Sequence, residues 1–352
     1  MKALAVTPLK AGSVRFEEIP APVPARDEVL VKILEVGICR TDAEICEGLY
    51  GEPPAGASAL VLGHEALGQL ENGDLVVPMV RRSCGGCANC LGGSQDMCST
   101  GNFLERGIKG LNGMLCEFIA EAPRYLVPIP PAARSYAVLA EPMSVVAKGL
   151  RQAELIQKRL HWAPRRALVL GAGPIGLLAT LTCRLLGWEV ATAARKPAAS
   201  LKADIARSCG AAYISTSETP VADLPGKYGL FDLVFEATGS SEVAFDCLGA
   251  AAVNGAVCLT SVTGGSARKT IQADRINCGL VLGNRVVFGT VNAGRQDFED
   301  GLKYLERINL KYPGALQRLF TARLPFAQSA GVFGARMDGI KTLVEMGGQG
   351  PL

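Results

Sequence analysis

Four cysteines, Cys84, Cys87, Cys90 and Cys98, stand in the pattern C-x-x-C-x-x-C-x-x-x-x-x-x-x-C among the glycines Gly85, Gly86, Gly92 and Gly93. Four thiolates on short turns satisfy tetrahedral zinc with no position left over, so this cluster suits a metal that holds a loop shut and does no chemistry. A second set lies upstream: Cys39, followed by Arg40, Thr41 and Asp42, and the pair His64-Glu65. Thiolate, imidazole and carboxylate make three protein ligands and leave a fourth position to water or an alcohol, as a catalytic zinc requires. Both groups follow short apolar runs, so loops at strand ends would present them. Glu141, beside Pro142 in an apolar stretch, is the other carboxylate open to the metal, because a buried carboxylate needs a partner. The chain has two histidines. His64 is read as the ligand through its company, and His161, beside Trp162 at a helix end, as structural.

A different chemistry begins at Gly171-Ala172-Gly173-Pro174-Ile175-Gly176, which follows an apolar strand over 167–170 and opens a helix that stops at Gly187. In that setting Gly171 permits a tight turn, Gly173 lets the backbone approach a pyrophosphate, and Gly176 lets helix and strand pack closely. Pro174 suits an early helical position that needs no N–H donor. The acid that would grip a free ribose 2′-hydroxyl is missing from the end of the next strand, where Ala194, Arg195 and Lys196 stand instead. A guanidinium fork and an ammonium fit a 2′-phosphate, so the cofactor expected is NADP, with NAD as a second possibility.

These residues need two frames to carry them. The first third is rich in short β-like runs, over 3–6, 28–36, 75–80 and 115–120, broken by Pro and Gly, which predicts a small β-barrel-like domain with the metal residues on its loops. A helical stretch over 151–161 leads to alternating strand and helix patterns over 167–170, 175–186, 189–193, 201–208, 233–236, 256–260 and 286–290. Alternation of that kind predicts a doubly wound parallel sheet with helices on both faces. The tail from about Val291 carries an amphipathic helix over 297–307 and a short helix-like segment over 339–346, and has no room for a core of its own. The expected organisation is therefore a catalytic domain with its zinc lobe over 1–149, a dinucleotide-binding domain over 150–290, and a return of 291–352 to the first domain.

With 352 residues, 49% of them hydrophobic, the chain can fill two cores. Its 36 Lys plus Arg against 33 Asp plus Glu give a net charge of +3. That balance, with no long basic run, speaks against nucleic acid as a partner. The opening Met1-Lys2-Ala3-Leu4-Ala5-Val6 lacks the apolar core of a signal peptide, and no 18-residue apolar run occurs, so neither export nor a membrane is expected and the location expected is cytoplasmic. Of the twelve cysteines, Cys183, Cys247 and Cys258 sit in apolar surroundings and read as small buried hydrophobes.

Taken together, these motifs resemble the zinc-dependent medium-chain dehydrogenases, in which a Cys, a His-Glu pair and a four-cysteine lobe precede a Rossmann domain. The resemblance covers nearly the full length. It is nearer to the archaeal-type glucose 1-dehydrogenases, through residues 37–42, Glu105-Arg106-Gly107-Ile108-Lys109-Gly110, and residues 139–144, 260–265 and 289–293. It implies a GroES-like β-barrel catalytic domain beside the Rossmann domain. It also implies Cys39, His64 and either Glu65 or Glu141 around a catalytic zinc, Thr41 as the hydroxyl that relays a proton, and Asp42 as support for His64. Glu105 and Asn292 would lie near the sugar hydroxyls, with Thr41 and Glu141 in the same substrate set, and Ile175 and Thr238 would join the cofactor-binding glycines. The implied reaction is oxidation of D-glucose at C1 to glucono-1,5-lactone, with NADP preferred and two zinc ions per chain. Polyol, alcohol or L-threonine oxidation by the same apparatus is the alternative within enzymes, and a non-catalytic NADP(H)-sensing protein the alternative outside them. A homo-oligomer, dimer or tetramer, is expected. Two departures from the family stand out: the stretch between Gly68 and Gly73 is short, and Ala194 replaces a frequent polar residue before the basic pair.

Overall fold

The computed structural model describes residues 1–264, 266–334 and 339–347. By packing, the chain forms two units, one of Met1–Ser144, Asn292–Leu305 and Leu319–Leu352, the other of Val145–Val291 and Glu306–Arg318.

The first unit is built around the ten-residue strand Val29–Ile38, whose residues Val31, Ile33, Val36 and Ile38 are buried. Its sheet runs Leu126–Ile129, Leu75–Pro78, Glu65–Gln69, Val29–Ile38, Lys341–Glu345 and Phe320–Pro325, and Phe118–Glu121 also pairs with Val29–Ile38. A smaller sheet joins Arg15–Glu18, Lys2–Val6 and Leu60–Val61. Leu4, Leu60, Leu62, Met114 and Leu115, all at 0% exposure, fill the core of this unit. A third small sheet of Arg81–Arg82, Leu104–Arg106 and Gly110–Leu111 stands beside the cysteine lobe in sequence.

Three expectations are corrected here. The segment 339–346 is not helical: Lys341–Glu345 is a strand, antiparallel to Val29–Ile38 with Leu343 opposite Gly37. A five-residue segment has no decisive period, and the open edge of a long buried strand decides its state. The helix expected over 151–161 runs over Ala140–Gln157, since Pro142 falls in its first turn, where no intrahelical N–H is needed. Finally, 306–318 groups with the second unit. The helix Arg295–Lys311 is about 25 Å long at 1.5 Å per residue, long enough for its two ends to be buried in different places.

The second unit holds a six-stranded sheet in the order Ala212–Ser215, Glu189–Ala194, Arg166–Leu170, Phe231–Glu236, Ala251–Leu259, Val286–Gly289. Every pairing is parallel. The inner strands read as continuous apolar runs because both faces are covered: Ala167, Leu168, Val169 and Leu170 are all at 0% exposure. Cys183, Cys247 and Cys258 are buried, as their surroundings predict. The strand order reverses between Arg166–Leu170 and Phe231–Glu236, the switch point at which doubly wound sheets bind ligands beyond the carboxyl ends of their strands.

Candidate functional site

Cys39 caps the short helix Arg40–Cys46 at the end of the central strand, and Asp42 in the first turn accepts the Cys39 N–H at 2.9 Å. The same carboxylate accepts the Gly63 N–H at 3.1 Å and stands 3.2 Å from His64 Nδ1. One fully buried acid thus ties two strand ends together and faces the imidazole. With Nδ1 turned to Asp42, Nε2 is the nitrogen left for a metal. Burial opposes ionisation of Asp42, but His64 and the two backbone N–H groups outweigh it and hold the carboxyl below its ordinary range.

Ligand atoms of Cys39, His64 and Glu65 lie within 4.8 Å of one another. A mixed sulfur, nitrogen and oxygen set at that spacing fits zinc with an open position. Glu65 is also committed elsewhere: both of its oxygens accept from Lys341 Nζ, at 2.8 and 2.6 Å, and Nζ donates further to the Ile38 carbonyl at 3.1 Å. Burial works against the Lys341 charge, but Glu65 and Cys39 raise its affinity for the proton above the ordinary value. Glu141 lies in the first turn of Ala140–Gln157. Its side chain has no hydrogen-bond partner among the described residues, and burial, then the charge of Glu65, pushes its carboxyl up to about 7. Thr41 is half-buried in the same turn as Asp42, and His161 is exposed, apart from the ligand set.

The sulfur atoms of Cys84, Cys87, Cys90 and Cys98 also lie within 4.8 Å of one another. Cys87 caps the turn Ala88–Leu91, and backbone N–H groups of Ser99 and Cys90 hold its thiol down to about 5. Burial pushes the Cys90 thiol up to about 12. This all-sulfur set fits a zinc closed to substrate.

Glu105 and Asn292, 187 residues apart, meet: Asn292 Nδ2 donates to Glu105 Oε1. Asn292 holds a left-handed backbone, φ 65°, and its Oδ1 accepts the Ala293 N–H at 3.1 Å. Arg81, absent from the sequence-based set, donates to the same Oε1 from Nε at 3.0 Å and Nη2 at 2.8 Å. Its only sequence signal was an Arg pair just ahead of the cysteine lobe, which names no partner.

In the second unit, Gly171 has φ 102°, and a Cβ on Gly176 would overlap its carbonyl oxygen, so neither position tolerates a side chain. A Cβ on Gly173, which caps the helix Pro174–Leu185, would meet nothing within 4 Å. That open space over a helix N-terminus is the cradle a pyrophosphate needs. Pro174 and Ile175 are half-buried in the first turn. Thr238 neighbours Gly171 and donates its N–H to buried Glu236 at 2.7 Å. Arg195 and Lys196 are exposed beyond Glu189–Ala194, and their backbone carbonyls accept from Ser217 and Tyr213 at 3.0 and 2.9 Å. The turn is therefore pinned while its cations face solvent. Of the family-like segment 260–265, Gly265 lies outside the described residues.

The family described as "Alcohol dehydrogenase GroES-like domain" matches residues 25–131, and "Glucose dehydrogenase C-terminus" matches residues 134–346. The chain is 45% identical to the glucose 1-dehydrogenase of Methanocella arvoryzae, over 99% of this chain and 100% of that one. It is 38% identical to that of Thermoproteus tenax, over 98% and 99%. The solved glucose dehydrogenase of Haloferax mediterranei in complex with NADP, Zn and gluconolactone superposes with a TM-score of 0.91 at 32% identity, over 99% and 100% of the two chains. Two family matches that leave few residues between them, and relatives matched end to end, fit the paired zinc sets and the glycine cradle found in one chain: it belongs to the zinc-type medium-chain dehydrogenases, in their archaeal glucose dehydrogenase branch.

Proposed function

We propose that this protein oxidises D-glucose at C1 to glucono-1,5-lactone with NADP, at the site where Cys39, His64 and a carboxylate hold zinc. The observation that carries the reading is the clustering of Cys39, His64 and Glu65 ligand atoms within 4.8 Å, in a chain matched end to end by glucose 1-dehydrogenases. When bound, zinc polarises the C1 hydroxyl and NADP takes the hydride. Everything else is the work of side chains. Asp42 faces the His64 ring; Glu65, held by the Lys341 ion pair, stands in the ligand cluster, and Glu141 is the second carboxylate open to the metal. Thr41 relays the hydroxyl proton, accepting it as it passes its own on toward solvent. Glu105 and Asn292 orient the sugar, and the Gly171, Gly173 and Gly176 cradle, with Pro174, Ile175 and Thr238, holds the dinucleotide. Arg195 and Lys196 take the 2′-phosphate, which favours NADP over NAD. The cysteine lobe holds a second zinc that keeps the fold.

In this reading residues 1–149 form the catalytic part and 150–290 bind NADP, and of the remainder 292–305 and 319–352 return to the first part while 306–318 stay with the second. The working assembly is a homo-oligomer. Its support is the edge strand Val286–Gly289 and the helix Ala273–Leu282, which has no buried residue and exposes Val281 at 64% and Leu282 at 77%. Twelve free cysteines support a reducing, cytoplasmic location, and no helix among the described residues is long and apolar enough to cross a membrane. Purified protein assayed with aldoses, polyols, simple alcohols and threonine against both cofactors tests the reading. Glucose with NADP should give the highest kcat/KM; a higher value for threonine or an alcohol refutes the sugar assignment.

A further inference from the structure

We propose that Arg81 is a positioning residue for sugar recognition: it fixes Glu105 so that a single carboxylate oxygen is offered to the substrate. The inference rests on the reading of Glu105 and Asn292 as sugar-binding residues. Arg81 and Glu105 are direct partners across the antiparallel strands Arg81–Arg82 and Leu104–Arg106, and their side chains are 10% and 13% exposed. A guanidinium commonly spans both oxygens of a carboxylate. Here both N–H groups converge on Oε1, and Asn292 Nδ2 adds a third donor to the same atom. Oε2 accepts no hydrogen bond among the described residues. An ionised carboxylate has about four acceptor sites, so those on Oε2 are left for a hydroxyl proton.

The guanidinium is itself anchored on two further sides. Nη1 donates to the Asp96 carbonyl at 3.1 Å, in the turn Gln95–Met97 that leads into Cys98, and the plane lies 3.9 Å from the centre of the Phe103 ring. The cysteine lobe thereby sets the angle at which Glu105 is gripped. A lysine would supply the charge without the fork. Geometry of this kind decides specificity, because a site built to bond a hydroxyl discriminates against analogues that lack it.

A double-mutant cycle of Arg81→Met and Glu105→Gln tests this, read through KM and kcat for glucose, NADP affinity by fluorescence titration, and zinc content. Arg81→Met should raise KM for glucose about ten-fold, the usual cost of losing a hydrogen bond to a charged group. NADP affinity and zinc content should stay within about two-fold, and in the Glu105→Gln background the same substitution should change KM by less than about two-fold. Arg81→Lys, which keeps a cation over Phe103, should recover part of the loss and serves if the Met variant fails to fold. If Glu105→Gln raises KM while neither Arg81 variant does, the positioning role is overturned and the sugar reading stands. If Glu105→Gln itself leaves KM unchanged, the sugar reading falls and the proposal with it. An Arg81 effect of equal size in both backgrounds, or matched by lost zinc or NADP affinity, makes Arg81 merely structural and overturns the proposal.

Discussion

Lys341→Met should loosen the centre of the first unit far more than a surface substitution would. Lys341 and Glu65 are 2% and 1% exposed, and Nζ lies 2.8 and 2.6 Å from the two carboxylate oxygens. Methionine keeps an unbranched chain of similar length and removes the charge, leaving the carboxylate buried without a counter-ion and the Ile38 carbonyl without its donor. Breaking a buried pair by deleting one partner costs about 3–5 kcal/mol, because the remaining ion keeps its desolvation penalty. Deleting the other partner's charge as well removes that penalty, so Glu65→Gln with Lys341→Met should recover at least about 2 kcal/mol of the loss. Hydrogen exchange in the metal-free protein reads this locally, at the amides of Val29–Ile38 and Lys341–Glu345, without requiring the two units to unfold as one. Protection there should fall by about 100-fold or more in the single variant and be largely restored in the double. Protection within about three-fold of the unsubstituted protein, or a double variant no better than the single, would refute the reasoning.

Cys39→Ala should lose turnover and one zinc while keeping the fold, whereas Cys87→Ala should chiefly lose stability; metal analysis beside a melting curve separates the two, and equal loss of fold in both contradicts the assignment. Neutralising Arg195 and Lys196 with Gln should raise KM for NADP about ten-fold more than KM for NAD, with a smaller difference at high salt because both cations are exposed. An unchanged ratio in steady-state kinetics places 2′-phosphate recognition elsewhere. Zinc binding at the lobe should weaken at least about ten-fold for each pH unit of acidification, since burial pushes the Cys90 thiol up to about 12 and its proton must leave before sulfur can bind. Chelator competition at pH 6, 7 and 8 measures this, and a pH-independent affinity would contradict it.

Much of the chemistry was legible without a structure because it is local. The four cysteines lie within fifteen residues, the glycine cradle within six, and each carries its geometry in spacing alone: turns short enough to converge on one metal, a strand-to-helix corner that admits no side chain. The parallel sheet was legible because strand and helix patterns alternate along that stretch of the chain. What tertiary structure alone decided involves partners distant in sequence. Nothing in the segment 339–346 distinguishes a short helix from a strand, and the open edge of Val29–Ile38 made Lys341–Glu345 a strand. That pairing brought Lys341 onto Glu65 across 276 residues and gave Glu65 a buried counter-ion that its flanking residues could not announce. The convergence of Arg81 and Asn292 on one oxygen of Glu105 has the same origin. A charged side chain shows its type in the sequence, but its partner is chosen by which strands and turns pack together, because a buried charge stays buried only where the fold brings its counterpart within hydrogen-bond distance.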